Sequence, residues 1–103
     1  MEEKRIDLMV DNKTITILTG NKMGREYFKK QVESNLDYNK VNIVHIPDQI
    51  EDVGSSFIQG IYYFLCENKD EETALKVMRL SSSNETIKTK VEKSIETYGI
   101  KSC

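Results

Sequence analysis

Residues 41–65 read VNIVHIPDQIEDVGSSFIQGIYYFL and contain a strand, a loop and a helix in that order. The first part, 41–46, is short, apolar and rich in β-branched side chains, which is typical of a strand that ends at Pro47. The last part begins at Gly54 and carries apolar side chains on more than one helical stripe, which predicts a well-buried helix. A strand followed by a helix is the building unit of a parallel α/β sheet.

The rest of the chain extends this alternation on both sides. Apolar and polar residues alternate over 5–10 and 13–18, and the turn residues between them predict an initial β-hairpin. A helical period follows over about residues 23–36, and residues 74–80 resemble a further strand. A third helix follows, with one clean apolar stripe of Ile87, Val91, Ile95 and Tyr98.

The order of these elements predicts an α/β fold in one domain that spans residues 1–103. Strands that alternate with helices imply a parallel sheet, because the helix carries the chain back to the end of the sheet where the next strand starts. Such crossovers are almost always right-handed. The expected architecture is a mainly parallel four-stranded sheet with an initial hairpin and about three helices. A chain of 103 residues is long enough to bury one core.

Charge and hydropathy exclude several classes of partner. The chain has 15 Lys and Arg against 17 Asp and Glu, and its net charge of -2 predicts no nucleic-acid partner. No apolar run approaches the roughly 20 residues of a membrane span. No signal-peptide pattern is present at the start of the sequence, so the predicted location is cytoplasmic.

The sequence does not predict an enzyme, a cofactor or a metal site. His45 is the single histidine, and no second metal-ligand residue follows at the spacing that a zinc site needs. No nucleophile stands in an obvious arrangement with a base. The two cysteines are interpreted as a small core residue, Cys66, and an exposed thiol, Cys103, without a disulfide between them.

Two loops leave weaker alternatives open. Asp48, Glu51 and Asp52 follow a strand, where carboxylates can hold magnesium, although a solvated acidic loop is the favoured interpretation of these residues. The segment 20–25 has two glycines between a strand and a helix, where phosphate loops occur, but it lacks the spacing of a Walker loop. A turn and a helix start remain the favoured interpretation there.

Ser56 is the strongest single candidate for a functional side chain. It stands three residues before Gln59, which is capping-box spacing, so its hydroxyl is expected to bond a backbone N–H at the start of the second helix. The functional alternative uses the same position, because a hydroxyl at the positive end of a helix could accept a phosphate. A second capping box, Ser82 with Glu85, is predicted for the last helix.

Residues 41–65 also resemble the STAS-like family of uncharacterised bacterial domains, which are similar to the STAS domains of anti-sigma-factor antagonists. Both share an apolar strand, a short loop with an apolar residue, here Ile50, and a paired serine that opens a buried helix. The resemblance covers roughly residues 14–98 and rests on the order of elements and the apolar pattern. It implies a STAS-type α/β fold.

The resemblance also implies a regulatory role. Antagonists of this type carry an Asp-Ser-Ser-Gly sequence whose second serine is phosphorylated by an ATPase-type kinase partner, and that serine corresponds to Ser56, with Ser55 beside it. The present chain has Gly54 and Phe57 at the two flanking positions. The residues expected to bind a partner are Asp52, Gly54, Phe57, Ser82 and Asn84.

The sequence therefore leads to two hypotheses. The first is a regulatory protein-binding module, docked by a protein partner such as a histidine-kinase-like ATPase and switched by phosphorylation of Ser56. The second is a small scaffold or antitoxin-like interaction protein with no switch, in which the serines only cap helices.

Overall fold

The computed structural model describes residues 2–100, which form five strands and four α-helices. The strands are β1 Glu3–Asp7, β2 Ile17–Leu18, β3 Val41–His45, β4 Asp52–Val53 and β5 Met78–Ser81. The helices are α1 Asn21–Tyr27, α2 Ser55–Asn68, α3 Glu71–Val77 and α4 Glu85–Tyr98. Helix α1 continues as a π-helical turn, Phe28–Val32, and a 3-10 turn, Glu33–Asn35. The α/β class expected from the sequence is confirmed.

The strands form two parallel sheets rather than one sheet of four strands. The larger has the order β1-β3-β5, and the smaller pairs β2 with β4. The predicted hairpin is wrong, because β1 pairs with β3 in parallel register. The chain continues along β3 past the end of β1, where Leu8 N–H bonds the carbonyl of His45 at 3.0 Å. In this parallel arrangement, the side chains of Ile6 and Leu8 are buried on the core side.

The predicted strand over 74–80 is mostly helix. Asp70 is the N-cap of α3, and its carboxylate accepts a hydrogen bond from Thr73 N–H at 2.7 Å. Two glutamates in the first turn of α3 suit the positive end of a helix. Ala74 and Val77 are both buried, since residues three apart lie on the same face of a helix. Strand β5 starts only at Met78. Residues 67–72 therefore contain the end of α2 and the start of α3.

Helix α2 is buried as predicted, and α4 packs by its apolar stripe. Ile87 and Val91 of α4 are buried and Ile95 is half-buried, whereas Tyr98 is 64% exposed at the end of the stripe. Gly99 ends the helix with a φ of 70°, a conformation that favours glycine. The remaining apolar core of the described residues lies between the helices and the two sheets.

Helices α1 and α2 run side by side in the same direction, and their backbones touch. A Cβ atom on Gly60 would lie 2.2 Å from the carbonyl oxygen of Asn21, and one on Gly24 would lie 2.4 Å from the carbonyl oxygen of Phe57. No real Cβ atom tolerates such distances, so both positions require glycine. Four residues further on, the rings of Phe28 and Phe64 stack at 5.9 Å. The two helices therefore start next to each other.

Candidate functional site

The start of α2 lies beside the start of α1, because both helices leave the same end of the small sheet. Strands β2 and β4 are parallel, so their carboxyl ends share one edge. Gly54 N–H bonds the carbonyl of Leu18 at 2.8 Å, which extends the pairing to the first residue before α2. After β2, the chain turns into α1 at Gly20, whose φ of 95° is a conformation that suits glycine.

Ser56 is exposed, and its hydroxyl oxygen accepts a hydrogen bond from the backbone N–H of Gly20 at 3.1 Å. The predicted capping box with Gln59 is wrong, since the N-cap of α2 is Gly54 and has no side-chain cap. Ser56 is the second residue inside α2, where its side chain reaches the neighbouring helix rather than its own first turn. The hydroxyl thus joins the starts of α1 and α2, and Ser55 beside it is half-buried.

Asp52 is tied to helix α4. Its Oδ1 atom lies 2.5 Å from Nζ of Lys90 and also accepts a hydrogen bond from Val53 N–H at 2.9 Å. The hydrogen bond from Lys90, helped by its positive charge, lowers the pKa of the Asp52 carboxyl below its ordinary value. The carboxylate therefore stays ionised and paired beside the start of α2.

Phe57 does not face a partner, contrary to the expectation from the sequence. Its side chain is fully buried in the core and meets the ring of Tyr27 edge-on at 6.0 Å. Gly54 is equally constrained, because a Cβ atom there would lie 2.8 Å from Oγ1 of Thr19. A side chain at position 54 fits only if the Thr19 side chain moves.

Ser82 and Asn84 lie at the start of α4 and stabilise that turn. Asn84, not Ser82, is the N-cap, and its Oδ1 atom accepts hydrogen bonds from the N–H groups of Thr86 and Ile87 at 2.9 and 3.4 Å. The hydroxyl of Ser82 accepts a hydrogen bond from Asn84 N–H at 3.0 Å. Within residues 2–100, no hydrogen bond or ion pair joins either side chain to the serines of α2. Contact between α4 and β4 comes instead through Lys90 and Asp52.

The other candidates from the sequence form no reactive cluster. His45 Nδ1 lies 3.0 Å from the hydroxyl of Ser81 on the adjacent strand. Asp48 and Glu51 do not gather with Asp52, and no group of three His, Cys, Asp or Glu side chains in the described residues is placed to hold a metal ion. Cys66 is half-buried, with its sulfur 3.8 Å from the carbonyl oxygen of Ile100, and Cys103 lies outside the described residues.

The structure also contains a charged face that the sequence analysis did not single out. The guanidinium of Arg25 lies over the ring of Tyr63, and the ammonium of Lys29 lies over the ring of Phe64. The spacing of Lys22 and Arg25 on α1 and of Lys29 on its π-helical continuation was a signal for this face, because residues three and seven apart share one side of a helix.

Comparison of the chain with protein-family models, with curated proteins and with solved structures finds no match. None of the helices in residues 2–100 has the length and apolar character needed to span a membrane.

Proposed function

We propose that this chain is a regulatory protein-binding module of STAS type, whose partner docks on the surface around Ser56. The partner class that the resemblance suggests is a histidine-kinase-like ATPase, and phosphorylation of Ser56 would switch the docking. Neither a catalytic step nor a cofactor is part of this proposal. The observation that carries it is the exposed Ser56 hydroxyl at the junction of α1 and α2.

A phosphate on Ser56 would change this surface without a large change in stability. It would add about -1.5 to -2 charges close to the positive end of α2, which favours an anion. The ion pair with Lys90 already offsets the charge of Asp52, the carboxylate four residues earlier in the chain. A partner whose docking surface buries Ser56 would have to desolvate the added charge, so the modification weakens binding.

The hydrogen bond from Gly20 N–H favours the non-switching alternative. A hydroxyl that holds α1 against α2 has a structural task whether or not it is ever modified. Under this alternative the chain is a scaffold or antitoxin-like interaction protein. Removal of the hydroxyl in Ser56→Ala should lower the free energy of unfolding by about 1 kcal/mol under either function.

Binding measurements on position 56 separate the two functions. A partner captured from the native host is purified, and its affinity for wild-type protein, Ser56→Ala and Ser56→Asp is measured by calorimetry. A switch predicts that Ser56→Asp binds about tenfold more weakly while Ser56→Ala binds like wild type. Ser34→Asp is the matched control, because it places the same charge on another exposed serine, in the 3-10 turn Glu33–Asn35. That turn contacts β1, where the side chain of Lys4 meets the carbonyl of Asn35.

Equal affinities for Ser56→Ala and Ser56→Asp would reject the switch and leave the scaffold alternative. Capture of nucleic acid alone would reject both functions. Thermal unfolding of each variant shows whether a loss of binding has a cause other than loss of fold.

A further inference from the structure

Four cations lie together on the outer side of α1 and its π-helical continuation. These residues, which we call the basic face, are Lys22, Arg25, Lys29 and Lys30. Together with Glu26 and Phe64 they line a shallow concavity of about 370 Å³. Glu26 lies among the four cations and Glu33 pairs with Lys29, so four cations meet two carboxylates. This is a local excess of positive charge in a chain whose net charge is -2.

Two of the cations are held in place by aromatic rings on α2. The guanidinium carbon of Arg25 lies 5.1 Å from the ring centre of Tyr63, and Nζ of Lys29 lies 4.3 Å from that of Phe64. The two rings meet edge to face at 5.2 Å. Because cation–π contacts favour these positions, the charged groups lose less freedom when a ligand binds.

Arg25 has a charge that the protein itself does not pair. Its Nε atom is buried without a hydrogen-bond partner among the described residues. No carboxylate in residues 2–100 lies within ion-pair distance of Arg25, Lys22 or Lys30, whereas Lys29 pairs with Glu33 at 2.9 Å. A guanidinium can bind a carboxylate with two parallel hydrogen bonds, so Arg25 is suited to an anionic ligand.

We propose that the basic face binds an acidic segment of a protein partner, with a carboxylate of that segment on Arg25. The complementary charge selects the acidic segment. Nucleic acid fits less well, because proteins bind single strands by stacking bases on open aromatic rings, and the rings of Tyr63 and Phe64 already contact Arg25, Lys29 and each other. This site is independent of any modification of Ser56.

Peptide titration with matched charge variants tests the proposal. A short fluorescein-labelled peptide of alternating glutamate and glycine, and its glutamine counterpart, are titrated with the protein by fluorescence anisotropy. Lys22→Glu/Lys30→Glu changes two exposed side chains of the basic face. Lys88→Glu/Lys93→Glu makes the same change in net charge on the exposed side of α4.

The acidic peptide should bind wild type and the α4 variant alike, and about tenfold more weakly to Lys22→Glu/Lys30→Glu. Its affinity should fall as salt rises, because charges are screened over about 8 Å at physiological ionic strength. Arg25→Lys, which keeps the charge and loses the planar fork, should weaken binding several-fold.

Three results would overturn the proposal. The first is equal weakening by the two double variants, and the second is equal binding of the glutamate and glutamine peptides. The third is a single-stranded oligonucleotide that binds the same face more tightly than the acidic peptide at the same salt. Circular dichroism of every variant checks that the peptide affinities are compared between folded proteins.

Discussion

The helix pair α1–α2 and the helix α4 are held in place by two different kinds of contact. In the pair, backbone touches backbone at Gly24 and Gly60, and no space remains for even a methyl group. Helix α4 packs instead through the side chains of Ile87 and Val91. A contact between backbones tolerates no added atom, whereas a contact between side chains loses stability gradually as atoms are removed. The two regions should therefore respond very differently to small substitutions.

Gly60→Ala should have the largest effect. The new methyl carbon would lie 2.2 Å from the carbonyl oxygen of Asn21, so the two helices must separate. We expect a loss of about 3 kcal/mol in the free energy of unfolding, even though alanine is the better helix former by about 1 kcal/mol. Urea denaturation followed by circular dichroism measures this loss.

Gly20→Ala is the control for that experiment. Nothing lies within 4 Å of a Cβ atom at Gly20, so only its φ of 95° opposes the substitution. With a ψ of 137°, this backbone lies outside the left-handed helical region, so the expected cost is about 1–3 kcal/mol. A Gly60→Ala protein as stable as wild type would contradict the close contact between α1 and α2.

Val91→Ala should have a smaller effect on the other region. Val91 is 5% exposed, and truncating its side chain removes apolar contacts and leaves a small cavity. The expected loss is about 1–3 kcal/mol in denaturant unfolding. Lys88→Ala, at an exposed position of the same helix, should change the stability little. Unchanged stability of Val91→Ala would mean that α4 is not docked as the structure shows.

The ion pair between Asp52 and Lys90 should have the smallest effect, and one that depends on pH. Because the pKa of Asp52 is lowered in the folded protein, the pair stabilises the fold above the ordinary aspartate pKa. This stability is lost as the pH falls through the lowered pKa. Both side chains are nearly half exposed, so the contribution is about 0.5 kcal/mol.

Acid denaturation of Asp52→Asn tests this prediction. Relative to wild type, the variant should lose stability at neutral pH and converge with it at low pH. Asp48→Asn, which alters an exposed carboxylate with no ion pair among the described residues, should follow the wild-type curve. An Asp52→Asn curve parallel to wild type across the acid range would show that the pair contributes nothing.

The strands show how far local pattern predicts pairing. The alternation over residues 5–10 indicated a strand, and β1, Glu3–Asp7, contains only the first part of that segment. The same alternation is compatible with either direction of pairing. The partner strand decides the direction: Val44 of β3 pairs with Ile6, and the next residues, Ile46 and Leu8, are buried on the same core side. The error at residues 74–80 had another cause, because the short apolar run was interpreted as a strand without regard to Asp70, a residue type that favours helix N-caps.

Around the candidate site, the place of a residue in its helix was easier to predict than the direction in which its side chain points. The sequence correctly placed Ser56 at the start of a buried helix, and the structure adds that its hydroxyl bonds Gly20, 36 residues away. Phe57 was expected to bind a partner because the family resemblance places it directly after the serine pair, but a helix turns each successive residue by about a quarter of a circle or more. The next side chain after an exposed serine can therefore lie in the core.

The sequence by itself determined the α/β class, the buried character of α2 and the apolar stripe of α4, because these features depend on the spacing of apolar residues along a few turns of chain. Tertiary structure alone decided that β1 pairs with β3, that Gly24 and Gly60 bring two helices into backbone contact, and that Arg25 rests on Tyr63. Each of these joins segments more than thirty residues apart in the sequence. No local pattern encodes such pairs, because their energy arises only when the whole core is assembled.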